Sequence, residues 1–123
     1  MQRLIRVLVV EDDTATRVLL AELLAEEGYV VDVAAHGVEA LERARTALPD
    51  VVLLDVHLPF MDSGTFREAL LGLDGGDRAK VLILTAGFNA RETTERLHAH
   101  AYLEKPFDIG QLLATVSALA GGG

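Results

Sequence analysis

Hydrophobic residues in this chain come as short, mostly apolar runs, separated by longer stretches in which they recur every three or four positions. Ile5 to Val10, Tyr29 to Ala34, Val51 to Asp55 and Lys80 to Thr85 are runs of strand length, rich in valine, leucine and isoleucine, and Ala101 to Lys105 is a short fifth. Short continuous apolar runs fit strands buried on both faces, as in a parallel sheet. Between them the period changes to that of a helix. About Thr14 to Glu27 carries Leu20, Leu23 and Leu24 on one face, with Gly28 as a stop signal. Gly37 to Ala47 carries Val38, Leu41 and Ala44, and Ser63 to Leu73 carries Phe66, Ala69, Leu70 and Leu73. Asn89-Ala90-Arg91-Glu92 has the form of a capping box and opens a polar helix to about His98. Asp108, with Gln111 three residues on, caps a last helix whose face is Ile109, Leu112, Leu113, Val116 and Leu119. Pro49-Asp50 and Pro59 break the pattern on either side of the third strand, and residues 74–77 form a loop.

Five strand–helix units in strict alternation predict an α/β domain: a parallel sheet with right-handed crossovers and helices on both faces. The carboxyl ends of its strands then share one edge, where open α/β sheets place their ligand sites. Glu11-Asp12-Asp13 follows the first strand, Asp55 ends the third, Thr85 ends the fourth and Lys105 follows the fifth. Taken alone, Asp55 reads equally well as a turn or capping aspartate. Asp13 is expected to start the first helix rather than to bind metal, because aspartate favours that position.

The acids change the picture most. Two carboxylates about 4 Å apart repel by roughly 4 kcal/mol at an effective dielectric near 20. A group of three therefore calls for a cation, and oxygen ligands without cysteine or clustered histidine suit Mg²⁺. With Lys105 as a point charge and Thr85 as a hydroxyl donor, the set describes a phosphoryl-transfer site with an aspartate nucleophile. Composition narrows the rest. The chain has 123 residues, the size of one domain, and no cysteine, which excludes disulfides and thiolate chemistry. Its net charge of −8 argues against a nucleic-acid surface. No apolar run approaches the roughly 18 residues of a membrane span, so a soluble cytoplasmic domain that does not engage the membrane is expected. His98 and His100 read as a solvated helix end in preference to a metal pair.

Four motifs carry a family resemblance. Leu8-Val9-Val10-Glu11-Asp12-Asp13, the stretch from Leu53 through Asp55, His57 and Pro59 to Asp62, Leu84-Thr85-Ala86, and Tyr102-Leu103-Glu104-Lys105-Pro106-Phe107 resemble, in order, the response-regulator receiver domain of two-component signalling. The resemblance implies a doubly wound five-stranded sheet of flavodoxin-like, CheY-like strand order 2-1-3-4-5. It assigns residues 1–120 to the receiver domain and 121–123 to a flexible tail or linker stub. It further implies that Asp55 accepts a phosphoryl group from a histidine kinase or phosphotransfer protein, and that the domain catalyses its own phosphorylation and dephosphorylation. Asp12 and Asp55 would coordinate Mg²⁺ directly, Glu11 through water, and the backbone carbonyl of His57 would complete the shell. Thr85 would hydrogen-bond the phosphoryl group, Lys105 would pair with it, and Tyr102 would be the switch aromatic. The signal would leave through the fourth helix, fifth strand and fifth helix, toward an output domain, a target protein or a second copy in a homodimer.

Several positions depart from the family pattern. Ser63 stands where a glycine is expected, and His36 where a small helix cap is usual. His57 and Gly87 border the site and are expected to set phosphoryl lifetime, which comparing decay in His57→Ala and Gly87→Glu with the parent tests. The segment from Thr85 to Lys105 is shorter than the family pattern and lacks its Gly-Ala-Asp turn. Leu97-His98-Ala99-His100-Ala101 must make that connection, so a short, tilted or mobile fourth helix is expected. Two other functions compete. A pseudo-receiver would bind partners without phosphorylation. A phosphatase of the haloacid-dehalogenase type would need its nucleophile where Glu11 stands. An FMN module is disfavoured by the acidic first loop.

Overall fold

The computed structural model describes residues 3–57, 61–87 and 89–121. Five strands and five helices alternate: β1 (Arg6–Val10), α1 (Thr14–Glu26), β2 (Val30–Ala34), α2 (Gly37–Thr46), β3 (Val51–Asp55), α3 (Ser63–Leu71), β4 (Lys80–Thr85), α4 (Ala90–Arg96), β5 (Ala101–Glu104) and α5 (Ile109–Leu119). The strands form one parallel sheet in the order β2-β1-β3-β4-β5. Pro59 and the last two glycines of the tail lie outside the described residues.

The two-residue period of a strand sorts the core into two halves. Leu8, Val10, Val52, Leu54, Val81 and Ile83 face one way and pack with Ala40, Leu41, Phe66, Leu70 and Leu97 from α2, α3 and the end of α4. Val7, Val9, Val51, Leu53, Leu82, Leu84 and Leu103 face the other way and pack with Leu20, Leu24, Leu112 and Val116 from α1 and α5. Both faces of the central strands are covered, so Val7–Val10, Val51–Leu54 and Val81–Leu84 are apolar throughout, and each buried aliphatic side chain contributes about 1.5–3 kcal/mol.

The chain leaves β1 for β2 on one side and returns for β3 on the other. The crevice between the carboxyl ends of β1 and β3 is therefore the place where the crossovers diverge. Register brings the chemistry to it. Val10 pairs with Leu54 and Asp55 with Leu84, so Glu11 stands level with Asp55 and Thr85 one step beyond.

Helix ends mostly follow local chemistry. Asp13, Asp62 and Asp108 cap α1, α3 and α5 by accepting the N–H groups of Thr16, Thr65 and Gly110. His36 caps α2 through its ring, Nδ1 accepting from Glu39 N–H at 3.2 Å. Two expectations fail. The capping box at Asn89 does not form: Asn89 has φ 65° and makes no side-chain cap bond. An N-cap side chain reaches the first turn from extended backbone, not from the left-handed region. Val38 and Ile109, assigned to buried stripes, are 43% exposed, because each lies in the first turn of its helix, beyond the sheet edge.

The α4–β5 connection is short and pinned. Arg67 of α3 is buried, and its Nε and Nη2 donate to the carbonyls of Leu97 and His98, both at 3.0 Å. A guanidinium thus satisfies the orphan carbonyls at the end of α4, where a cation is favoured. His98 takes φ 53° to make the turn. His100 then ties to β4, its Nδ1 accepting Val81 N–H at 3.0 Å while its own N–H donates to Val81 O at 2.9 Å. Both histidines are exposed: His98 closes the solvated end of α4, and His100 is in addition tied by its ring to β4. Burial depresses the Arg67 pKa. Arg67→Met keeps most of the stem but strips a buried and a part-buried carbonyl of their charged donors. It is expected to lower unfolding stability by about 2–3 kcal/mol, read by urea titration. A loss under half a kilocalorie would mean that the connection holds without Arg67.

Candidate functional site

Glu11 is the best-held residue of the crevice. It follows β1, is fully buried, and its N–H donates to Ala34 O at 3.0 Å. Its Oε2 accepts Asp13 N–H at 3.2 Å and its Oε1 accepts Lys105 Nζ at 2.6 Å. Asp55, 5% exposed at the end of β3, accepts His57 N–H on Oδ1 at 3.0 Å and lies 3.4 Å from Lys105 Nζ on Oδ2. Asp12 is exposed. One carboxylate oxygen from each of Glu11, Asp12 and Asp55 lies within 4.8 Å of the others, the only such metal-competent cluster among the described residues.

Strand periodicity explains who meets whom. Glu11, Asp55 and Lys105 have the parity of Val9, Leu53 and Leu103 and share one side of the sheet edge. Thr85 has the parity of Val81 and Ile83. It is buried, and its hydroxyl accepts Gly87 N–H at 3.2 Å instead of meeting Asp55. Lys105 is carried to the crevice by its own backbone, whose N–H donates to Thr85 O at 2.7 Å.

The pocket holds more negative than positive charge. Burial, and then the hydrogen bond shared with Asp55, push the Glu11 carboxyl above its ordinary range, while Lys105 pulls the other way. For Lys105 burial disfavours the charge, but the bond to Glu11 and the charge of Asp55 outweigh it and its pKa is raised. One lysine cannot neutralise three carboxylates. An added hard cation would complete the balance, and the donor set of carboxylate oxygens fits one.

Asp13 is the helix cap expected of it, accepting both the N–H and the hydroxyl of Thr16 at 2.9 and 2.6 Å; the hydroxyl, then the N–H, hold its carboxyl below the usual range. His57 is exposed beside Asp55. Gly87 leaves its side of the pocket open, since a Cβ there would come no nearer than 3.9 Å, to the Thr85 hydroxyl. Tyr102 lies on β5, 39% exposed, over a shallow cleft of about 380 Å³ shared with Glu104, Phe107 and Gln111.

Two supporting residues escape a reading of the sequence. Ser63, buried in the first turn of α3, donates its hydroxyl to the carbonyls of Val56 at 2.7 Å and Asp55 at 3.3 Å, tying down the loop after β3. Its place as an oddity in the motif was the available signal. Arg17 of α1 reaches back to the carbonyls of Glu11 and Asp12. Side chains on a helix lean toward its N-terminus, so a long donor in the second turn was the clue.

Comparison with known proteins matches this geometry. Residues 7–117 fit the family model described as the response regulator receiver domain. Response regulator MprA of Mycobacterium tuberculosis is 41% identical over 117 residues, covering 94% of this chain and 50% of that protein. The chain thus spans about half the length of the curated relatives it matches. The chemotaxis response regulator CheY4 of Vibrio cholerae superposes with a TM-score of 0.87 at 30% identity, covering 95% of this chain and 99% of that one. The receiver domain of a Pseudomonas aeruginosa sensor histidine kinase, solved with a magnesium ion coordinated in its active-site cleft, gives a TM-score of 0.87 at 26% identity, covering 97% and 99%. The fold agrees with these matches, and the chain belongs to the response regulator receiver domain family.

Proposed function

We propose that Asp55 is the phosphoryl acceptor of this receiver domain, taking the group from a phosphohistidine on a histidine kinase or phosphotransfer protein. The observation that carries the reading is the pairing of Asp55 with one cation, Lys105, inside a pocket of three carboxylates. A carboxylate oxygen of Asp55 attacks phosphorus, the bond to the donor imidazole nitrogen breaks, and the imidazole leaves with the electron pair. Later attack by water on the same phosphorus regenerates the carboxylate and releases phosphate.

Asp12, Asp55 and Glu11, with the backbone carbonyl of His57, would hold Mg²⁺. When bound, the ion would neutralise charge on the phosphoryl oxygens and on the acids. Lys105 brings a point charge to those oxygens, and the Thr85 hydroxyl keeps its proton to donate, because its oxygen already accepts from Gly87. Thr85 and Tyr102 are the switch pair, and α4, β5 and α5 the face offered to an output domain, a target or a second copy. The exposed Tyr102 and Ile109 support that face.

Partner binding without phosphorylation is not favoured, since acids, lysine and hydroxyl are all in place. Incubation with a small acyl phosphodonor and Mg²⁺, followed by intact mass, tests the reading. One added phosphoryl group per chain is expected. No addition would overturn the acceptor role, and steady turnover of unrelated phosphoesters would point to a phosphatase.

A further inference from the structure

We propose that Arg17 is a positioning residue of the acid pocket, gripping the main chain of Glu11 and Asp12 from behind so that their carboxylates are set for a divalent cation. Its Nη1 donates to Glu11 O at 2.9 Å and to Asp12 O at 3.3 Å, and Nη2 lies 3.5 Å from Thr14 Oγ1. Two consecutive carbonyls held by one guanidinium nitrogen fix the orientation of two peptide planes. The side chains of residues 11 and 12 then have little freedom in where they start. Asp12 needs this most. It is exposed, and its carboxylate makes no hydrogen bond to a described residue. Glu11, by contrast, is also held by Ala34, Asp13 and Lys105.

Helix stability does not account for Arg17. It stands in the second turn of α1, near the positive end of the helix dipole, where a cation is mildly unfavourable. It forms no ion pair among the described residues; its Nη1 goes to loop carbonyls and its Nη2 to the Thr14 hydroxyl. Groups that orient metal ligands in this way are worth about 10- to 100-fold in metal affinity.

The inference rests on the Mg²⁺ reading of the pocket and makes a prediction opposite in sign to simple electrostatics. Removing a positive charge beside a cation site should tighten Mg²⁺ binding by Coulomb's law. Removing a positioning group should weaken it. Mg²⁺ titration by calorimetry on the parent, Asp12→Asn, Arg17→Met and Arg17→Lys separates the two. The dissociation constant is read on folded protein, well below each variant's own melting temperature, so lost stability alone leaves it unmoved. Arg17→Met is expected to raise it about tenfold or more, and Arg17→Lys to do nearly the same, since an ammonium lacks the planar fork. Arg17→Met binding as tightly as the parent or tighter would overturn the proposal, as would full rescue by Arg17→Lys, which would show that the guanidinium grip on the two carbonyls is not what sets the acids. Should the parent fail to bind Mg²⁺, or Asp12→Asn leave binding unchanged, the metal reading itself falls and this inference falls with it.

Discussion

Asp55→Asn is expected to take up no phosphoryl group from a small acyl phosphodonor, yet to unfold no more easily than the parent when divalent cations are absent. The loss of chemistry follows from the nucleophile, because a carboxamide has no anionic oxygen to form an acyl phosphate. The stability follows from the pocket. Glu11 and Asp55 are both almost fully buried, with only Lys105 between them. Charges held within 4.8 Å repel by roughly 3.5 kcal/mol at an effective dielectric of 20. Asparagine ends that repulsion, and its Oδ1 still accepts His57 N–H as Asp55 does. Against this stands the weaker contact with Lys105, so a net gain of about 1 kcal/mol is expected. Intact mass and urea unfolding check the two halves. Phosphoryl uptake by the variant would move the acceptor elsewhere, and a large loss of stability would mean that Asp55 is held more by its partners than it is repelled by Glu11.

Lys105→Met should be the most damaging single change in the pocket. Removing one partner of a buried pair leaves an uncompensated charge, commonly at 3–5 kcal/mol. The lysine is 25% exposed, so about 2–3 kcal/mol at neutral pH is the better expectation. The effect depends on pH in a definite sense. Glu11 titrates above its ordinary value in the fold, so it binds its proton more tightly folded than unfolded. The stability this carries is complete below its ordinary value of 4.5 and is lost as pH rises through the folded value. Without Lys105, which pulls that value down, Glu11 rises further and the loss at neutral pH grows. The gap between parent and variant should therefore be small near pH 4.5 and full at neutral pH. Asp13 and Asp62 act in another window. Their carboxyls are held below 3.8, so their contributions fade only as pH falls through those lowered values. Urea unfolding across pH, with a chelator present, measures this; a gap that does not change with pH would disprove the link to Glu11.

Much of this molecule was legible as a pattern. β3 and β4 begin and end where their apolar runs do, because a strand covered on both faces must be apolar until it leaves the core. Asp55 marks the end of one such run and Thr85 the other. Capping aspartates were equally visible, since Asp13 and Asp108 act through bonds to residues three and two positions away. Asn89 was misread because the same residue type also favours left-handed backbone, and composition does not say which use the loop will make of it. Arg67 was invisible. Its partners lie 30 and 31 positions away, and no local period announces a guanidinium that closes another helix.

The order of apolar and polar residues was enough to settle the alternation of strands and helices and the edge on which the acids, hydroxyl and lysine gather, because these follow from local periods of two and 3.6. Strand order came only by family resemblance, and the rest waited for the packed chain. Register set Glu11 level with Asp55, pleat parity turned Thr85 to the other side, and Lys105 met Glu11 at 2.6 Å and Asp55 at 3.4 Å. Arg67 and His100 closed the shortened connection after α4, and Arg17 closed the back of the acid loop. Each of these is a contact between residues remote in the chain or between a side chain and distant main chain. Local propensity carries no information about such contacts, since their energy exists only once the elements have been brought together.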